Sequence, residues 1–212
     1  MAKSSKADNY EHLSDLEHAL KRPDTYIGSV QFTDETIDII NTETMKIFPK
    51  KMSISYGLQR IYEEVLLNAF DHQVRSDTGC TEIRVNITKD SVSVMNNGSG
   101  IPVVMKKELS MYVPTMIFGL LRSGSNYKDN QKRLTGGKNG LGAKLANIFS
   151  KRFTVETVDA DEKLSFTQTW NNNMSKKSEP IIKKSSKKPY TLITFEPDFT
   201  YFGIEEYSDD MI

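Results

Sequence analysis

Apolar residues recur along this chain in two rhythms, and the switches between them outline its elements. Leu13, Leu16, Ala19 and Leu20 fall at helical spacing, and Pro23 and Gly28 break the chain soon after. Residues 30–52 alternate polar and β-branched positions and are read as a hairpin. A longer helix is predicted over 57–75, with Leu58, Ile61, Tyr62, Val65, Leu66 and Ala69 on its apolar face. The period then shortens to two: Ile83, Val85 and Ile87, then Val92 and Val94, predict strands, and 96–100 a turn closed by Pro102. Helices are predicted over 114–121 and from near Gly140 to Phe149, and strands over 153–158, 164–169 and 191–195. The lysine-rich stretch 176–188, between the last two strands, is read as a loop. Residues 122–138 are polar and glycine-rich without periodicity, and loops of that length in a compact domain are functional or disordered. Residues 1–10 are polar and read as an arm. No repeat and no second domain emerge. The pattern is α+β, with helices on one face of a mixed sheet.

Composition narrows the class. The 212 residues carry 28 basic and 28 acidic side chains, so the chain is not a general polyanion-binding surface and any nucleic-acid role must be local or lie in segments beyond these residues. The single cysteine, Cys80, excludes an internal disulfide and argues against cysteine-ligated zinc. No apolar run approaches a bilayer span, and MAKSSKADNY lacks the apolar centre of a signal peptide. The expectation is an intracellular protein without a membrane partner.

Three short segments carry candidate chemistry. Glu64, Asn68 and His72 stand four residues apart, so they share one face of the long helix. A carboxylate there can take a proton from water, and an amide oxygen can ligate a hard cation; a solvated stripe on an amphipathic helix would look the same. Residues 96–102 (NNGSGIP) follow a strand. Gly98 and Gly100 allow close backbone approach to a ligand, and Asn96 offers a donor and an acceptor to an adenine edge, although an ordinary turn is the plainer reading. Residues 135–144 (TGGKNGLGAK) lead into a helix whose first amides and dipole favour phosphate, with Lys138 and Lys144 adding charge; a flexible loop is the alternative. The segment is neither a Walker A loop nor a Rossmann fingerprint.

In this order, the three segments resemble the Bergerat-fold (GHKL) ATPases, and within them the N-terminal ATPase domain of eukaryotic-type DNA topoisomerase II. Residues 16–30 (LEHALKRPDTYIGSV) resemble that family's leading segment, 63–69 its first ATP motif, 96–102 its second and 135–144 its third. The resemblance covers nearly the whole chain. It implies a two-layer α+β sandwich, a mixed, mostly antiparallel sheet covered on one face by helices, with an arm over 1–12 and the ATPase domain over 13–212. It implies ATP and Mg²⁺ as ligands. Glu64 would be the general base and Asn68 the metal ligand. Asn96 would contact adenine, with Gly98, Gly100 and Ile101 beside it. Gly124, Ser125 and Asn126 would meet ribose and phosphate. Gly137, Lys138, Asn139, Gly140, Leu141, Gly142, Ala143 and Lys144 would wrap the triphosphate, and Tyr10 would reach from the arm to a partner's nucleotide. The implied partners are a second copy of the chain and, in the full-length enzyme, double-stranded DNA. The implied setting is a nucleus, or a host cell or virion for a large DNA virus.

Four positions depart from the family pattern. His72 stands where asparagine is usual, Gly124 replaces a serine, Lys138 an arginine and Leu141 a tyrosine. None removes the base or the metal ligand, so activity with altered affinity is expected. In the family, a lysine from a following transducer domain completes the γ-phosphate site and the cleavage tyrosine lies further on; both are absent from these residues, which implies slow hydrolysis by this chain alone. Another GHKL class, a chaperone or mismatch-repair ATPase, is disfavoured by Arg22-Pro23-Asp24, and a scaffold without turnover by Glu64 and Asn68 together. A kinase of the same fold lacks a phosphoacceptor histidine region here.

Overall fold

The computed structural model describes residues 12–41, 43–75, 77–121 and 141–212. Helix α1 (Asp15–Lys21) opens on a capping box: the Ser14 hydroxyl accepts from the Glu17 N–H while the Glu17 carboxylate accepts from the Ser14 N–H. Strands β1 (Thr33–Asn41) and β2 (Lys46–Ile54) form the expected hairpin as a separate antiparallel pair. Helix α2 (Tyr56–Val74) follows, burying Leu58, Ile61, Val65 and Ala69 at its core face. Ser55 fixes where it begins. Its hydroxyl accepts from the Leu58 N–H at 3.3 Å and donates to the Val30 carbonyl at 3.1 Å. Replacing Ser55 by alanine removes both bonds and is expected to cost about 1–2 kcal/mol, read as a lower urea midpoint at constant slope.

The main sheet is built from β3 (Ile83–Ile87), β4 (Val92–Asn97), β7 (Ser150–Asp159), β8 (Leu164–Asn171), β10 (Ile181–Lys184) and β11 (Tyr190–Pro197), in the order β10-β8-β7-β11-β4-β3; β9 (Lys176–Lys177) also pairs with β8. Each of these pairings is antiparallel. A small pair, β5 (Met105–Lys106) and β6 (Met111–Tyr112), leads into α3 (Val113–Gly119); α4 (Gly142–Ile148) precedes β7, and α5 (Phe199–Phe202) follows β11. The expected α+β architecture is therefore observed. The segment 176–188 departs from its reading as a loop, since it contains β9 and β10. An edge strand wet on both sides needs no apolar alternation, so its period-two signal is missing.

Register lines up the helix-facing side of the sheet in three rows. Val92, Phe195, Phe153 and Trp170 pair across β4, β11, β7 and β8; next come Val94, Ile193, Val155 and Gln168; then Asn96, Thr191, Thr157 and Phe166. The first row is the centre of the core, where Phe153 stacks on Phe195 and meets Trp170 edge-on. Buried Gln168 is satisfied at both ends, by the Thr115 hydroxyl at 2.7 Å and the Ser178 carbonyl at 2.8 Å. The third row turns polar where β4 runs into its glycine turn. Helix α4 lies over β7 and β11 and packs against α1, α2 and α3, so it is the hub of the helical layer. Among the described residues no helix is long and apolar enough to cross a membrane.

Candidate functional site

The start of α4 and the turn after β4 meet the face of α2 that carries Glu64, Asn68 and His72. A Cβ on Gly142, the first residue of α4, would lie 2.5 Å from Glu64 Oε2 and 3.4 Å from Asn68 Nδ2. A Cβ on Gly98, in the turn after β4, would lie 2.9 Å from His72 Nε2. Two turns of α2 thus carry Glu64 and Asn68 against the start of α4 and His72 against the β4 turn.

The Glu64 side chain is only 15% exposed and pairs with Arg60 Nη2 at 2.5 Å. Burial pushes its carboxyl above the usual carboxylate range, opposed by Arg60 and reinforced by Glu63 and Asp71. A raised pKa makes a carboxylate a better proton acceptor near neutrality. Asn68 is exposed and donates from Nδ2 to the Glu64 carbonyl at 2.5 Å, which leaves Oδ1 as its free oxygen. Among the described residues no cluster of three or more His, Cys, Asp or Glu side chains could hold a metal. A single amide oxygen suits Mg²⁺, which keeps several waters and takes substrate phosphates as ligands.

His72 Nε2 is buried with no hydrogen-bond partner among the described residues, and burial, with a smaller push from Arg75 against Asp77, holds the ring below its ordinary pKa. Around it the turn is anchored by residues that sequence reasoning missed. The Thr78 hydroxyl donates to the His72 carbonyl, and the Ser99 N–H to the Thr78 carbonyl. Thr157 accepts from the Ile101 N–H at 3.0 Å and donates to the Tyr190 carbonyl at 2.9 Å. Asp159 accepts from the Val103 N–H at 2.7 Å. Protein atoms lie close to both glycines of the turn. A Cβ on Gly100 would lie 2.0 Å from the Val158 carbonyl oxygen, as the turn crosses β7.

The two asparagines of the turn divide their work. Asn97 Oδ1 accepts from the Thr81 and Glu82 N–H groups and so tethers the chain before β3. Asn96 is 6% exposed and donates Nδ2 to the Asn97 carbonyl, leaving Oδ1 to accept above the Thr157–Thr191 row. Nearby, Leu141 caps α4, and Ala143 and Lys144 are buried. The N–H groups of 142–144 have no acceptor within the helix. Burial pushes the Lys144 amine down to about 8. Tyr10, Gly124, Ser125, Asn126, Gly137, Lys138, Asn139 and Gly140 lie outside the described residues.

Residues 54–200 match the family described as histidine kinase-, DNA gyrase B- and HSP90-like ATPases. The chain belongs to this family. Its relatives narrow the class: it is 48% identical over 205 residues to DNA topoisomerase 2 of Drosophila melanogaster, and 48% over 206 to DNA topoisomerase 2 top-2 of Caenorhabditis elegans. Each alignment covers 96% of this chain and 14% of the relative, so the chain spans about a seventh of these proteins. It superposes on the ATPase region of Saccharomyces cerevisiae topoisomerase II with a TM-score of 0.93 at 45% identity, covering 97% of this chain and 55% of that one. Thermus thermophilus gyrase B, at 23% identity and a TM-score of 0.65 over 92% of this chain and 42% of its own, shares the fold. By homology the chain is the ATPase domain of a type II DNA topoisomerase of the eukaryotic kind.

Proposed function

We infer that the chain binds Mg-ATP between α2 and the start of α4, and that in a longer enzyme this binding drives closure of a dimeric clamp for DNA strand passage. The contact of Gly142 with Glu64 and Asn68 carries the reading, because it sets a base and a hard oxygen ligand against a phosphate-accepting helix start. Asn96 Oδ1, with one of the two Nδ2 hydrogens held by the Asn97 carbonyl, accepts from the exocyclic amine of adenine and would meet an oxygen in guanine. Asn68 Oδ1 holds Mg²⁺, which when bound neutralises phosphate charge. The α4 amides and Lys144 take the triphosphate, with Gly137, Lys138, Asn139 and Gly140 before them, and Gly124, Ser125 and Asn126 toward the ribose. Glu64 takes the proton of the attacking water, and Arg60 orients its carboxylate. Tyr10 reaches from the arm to the nucleotide of a second copy.

The test is a titration of the 212-residue chain with a non-hydrolysable ATP analogue, with and without Mg²⁺. Saturable binding that Mg²⁺ strengthens and GTP analogues do not match is expected; no binding, or no preference for adenine, sinks the reading. The pH dependence adds a second readout. A phosphate beside Lys144 favours its protonated form, so affinity should fall as pH rises above about 8, by up to about tenfold per unit. Folding stability should move the other way. The unfolded lysine holds its proton to higher pH, so stability should rise between about 8 and the ordinary lysine value. A Lys144→Gln chain should lose both dependences.

A further inference from the structure

The lysine-rich stretch plays no part in the nucleotide site, yet the fold gives it a defined geometry. Strands β9 and β10 pair one after the other with the same edge of β8, Lys176 opposite Asn171 and Lys184 opposite Leu164. Paired residues share a sheet face. Lys176 and Lys183 therefore stand with Asn171 and Ser165 on the face away from the helices, and Lys177 and Lys184 stand with Trp170 and Leu164 on the other. On each face the two lysines lie six β8 residues apart, roughly 20 Å along the edge at the rise of a strand. Lys187 and Lys188 continue into the connection to β11.

All six lysines are exposed, and none makes an ion pair with a described residue. Residues 176–188 hold six lysines against one glutamate, a local net charge of +5 in a chain that is formally neutral. The rest of the molecule is therefore negative by the same amount, and the edge is its concentrated positive field. No aromatic residue interleaves these lysines, so the surface has no platform for stacking unpaired bases.

We propose that this lysine-lined sheet edge docks the phosphate backbone of double-stranded nucleic acid, without reading its sequence. A duplex presents about one charge per 1.7 Å of axis, so the edge spans roughly a dozen phosphates. Lysine pairs on both sides of one strand form a ridge that suits a groove flanked by two phosphate lines better than a single extended chain. The proposal deepens the topoisomerase reading, on which it rests for DNA as the duplex met in the cell; the surface is separate from the ATP site.

The experiment measures anisotropy of a labelled duplex of about 20 mixed-sequence base pairs, long enough to cover the edge, with the 212-residue chain over a salt series. A K176Q/K177Q/K183Q/K184Q variant is measured beside it. Removing one phosphate neutralisation should flatten the plot of log affinity against log salt by about 0.9. The variant should lose about two to four units of slope and at least about tenfold in affinity at low salt. K183Q/K184Q, confined to β10, should give about half the effect and serves if the fourfold variant fails to melt cooperatively. An unchanged slope overturns the proposal, as does failure of the native chain to bind duplex. Equal binding to single strands or to polyglutamate overturns it too. Self-association of the variant with an unchanged slope would show that the lysines only guard a sheet edge. The ATP-analogue titration on the same samples keeps the two readings apart. Intact analogue binding with an unchanged slope removes this proposal alone, and absent analogue binding with the expected slope removes the ATP site alone.

Discussion

Replacing Glu64 by glutamine is expected to lower ATP hydrolysis by about 10²–10⁴-fold while leaving nucleotide affinity equal or higher. The two effects separate because of where the carboxylate sits. One oxygen packs against Gly142 at the start of α4 and the other pairs with Arg60. Glutamine has the same shape, so the contact with α4 survives and the proposed nucleotide site keeps its wall. It cannot accept a proton from water near neutral pH, so the chemical step fails. Losing a negative charge beside the triphosphate also removes a repulsion, which is why affinity should not fall. Single-turnover phosphate release measures the first effect and analogue titration the second. Both belong on this chain and on a longer one that includes more of the protein its relatives represent. Hydrolysis within about tenfold of the native rate would mean that another group accepts the proton. Failure to bind the analogue would mean that Glu64 shapes the pocket rather than serving the reaction.

The same geometry explains which parts of the site could be read from sequence. Glu64, Asn68 and His72 were legible because four-residue spacing on a strongly periodic helix fixes a shared face whatever the rest of the fold does. The turn 96–102 and the start of α4 were legible as glycine segments. The partners of their glycines were not, since Val158 and Glu64 are remote in the chain and come close only through sheet register and helix packing. Thr157 and Thr191 left a fainter mark. They break the apolar parity set by Phe153 and Val155, and by Ile193 and Phe195, where the sheet meets the turn. A polar residue at an inward position of a core strand is a cost unless it has work to do, and here it anchors the Ile101 N–H. Strands β9 and β10 gave no signal because an edge wet on both faces has no pattern to show. The pairing is visible only once β8 is in place.

Gly100→Ala is expected to be the most damaging substitution in the turn, costing at least about 3–4 kcal/mol of a stability that for domains of this size is about 5–15. Two terms add. Gly100 has φ +76°, a conformation that costs an L-residue about 1–2 kcal/mol. The new Cβ would also sit 2.0 Å from the Val158 carbonyl oxygen and 2.9 Å from its carbon. That obstacle is backbone in the middle of a sheet, held by pairing of β7 to both β8 and β11, so no side-chain rotation relieves it. The turn must move instead, and the bonds of Ile101 to Thr157, Val103 to Asp159 and Ala160 to Ser99 move with it. Gly203 separates the two terms, because it has φ +75° and nothing within 4 Å of its would-be Cβ. Gly203→Ala should therefore cost only the conformational part, about 1–2 kcal/mol. Urea unfolding of the two variants side by side isolates the steric part as their difference. Equal losses would show that β7 and the turn can part without penalty. The turn beside Asn96 would then rest on a looser scaffold than the three anchoring bonds imply, and Gly100→Ala would leave analogue affinity unchanged.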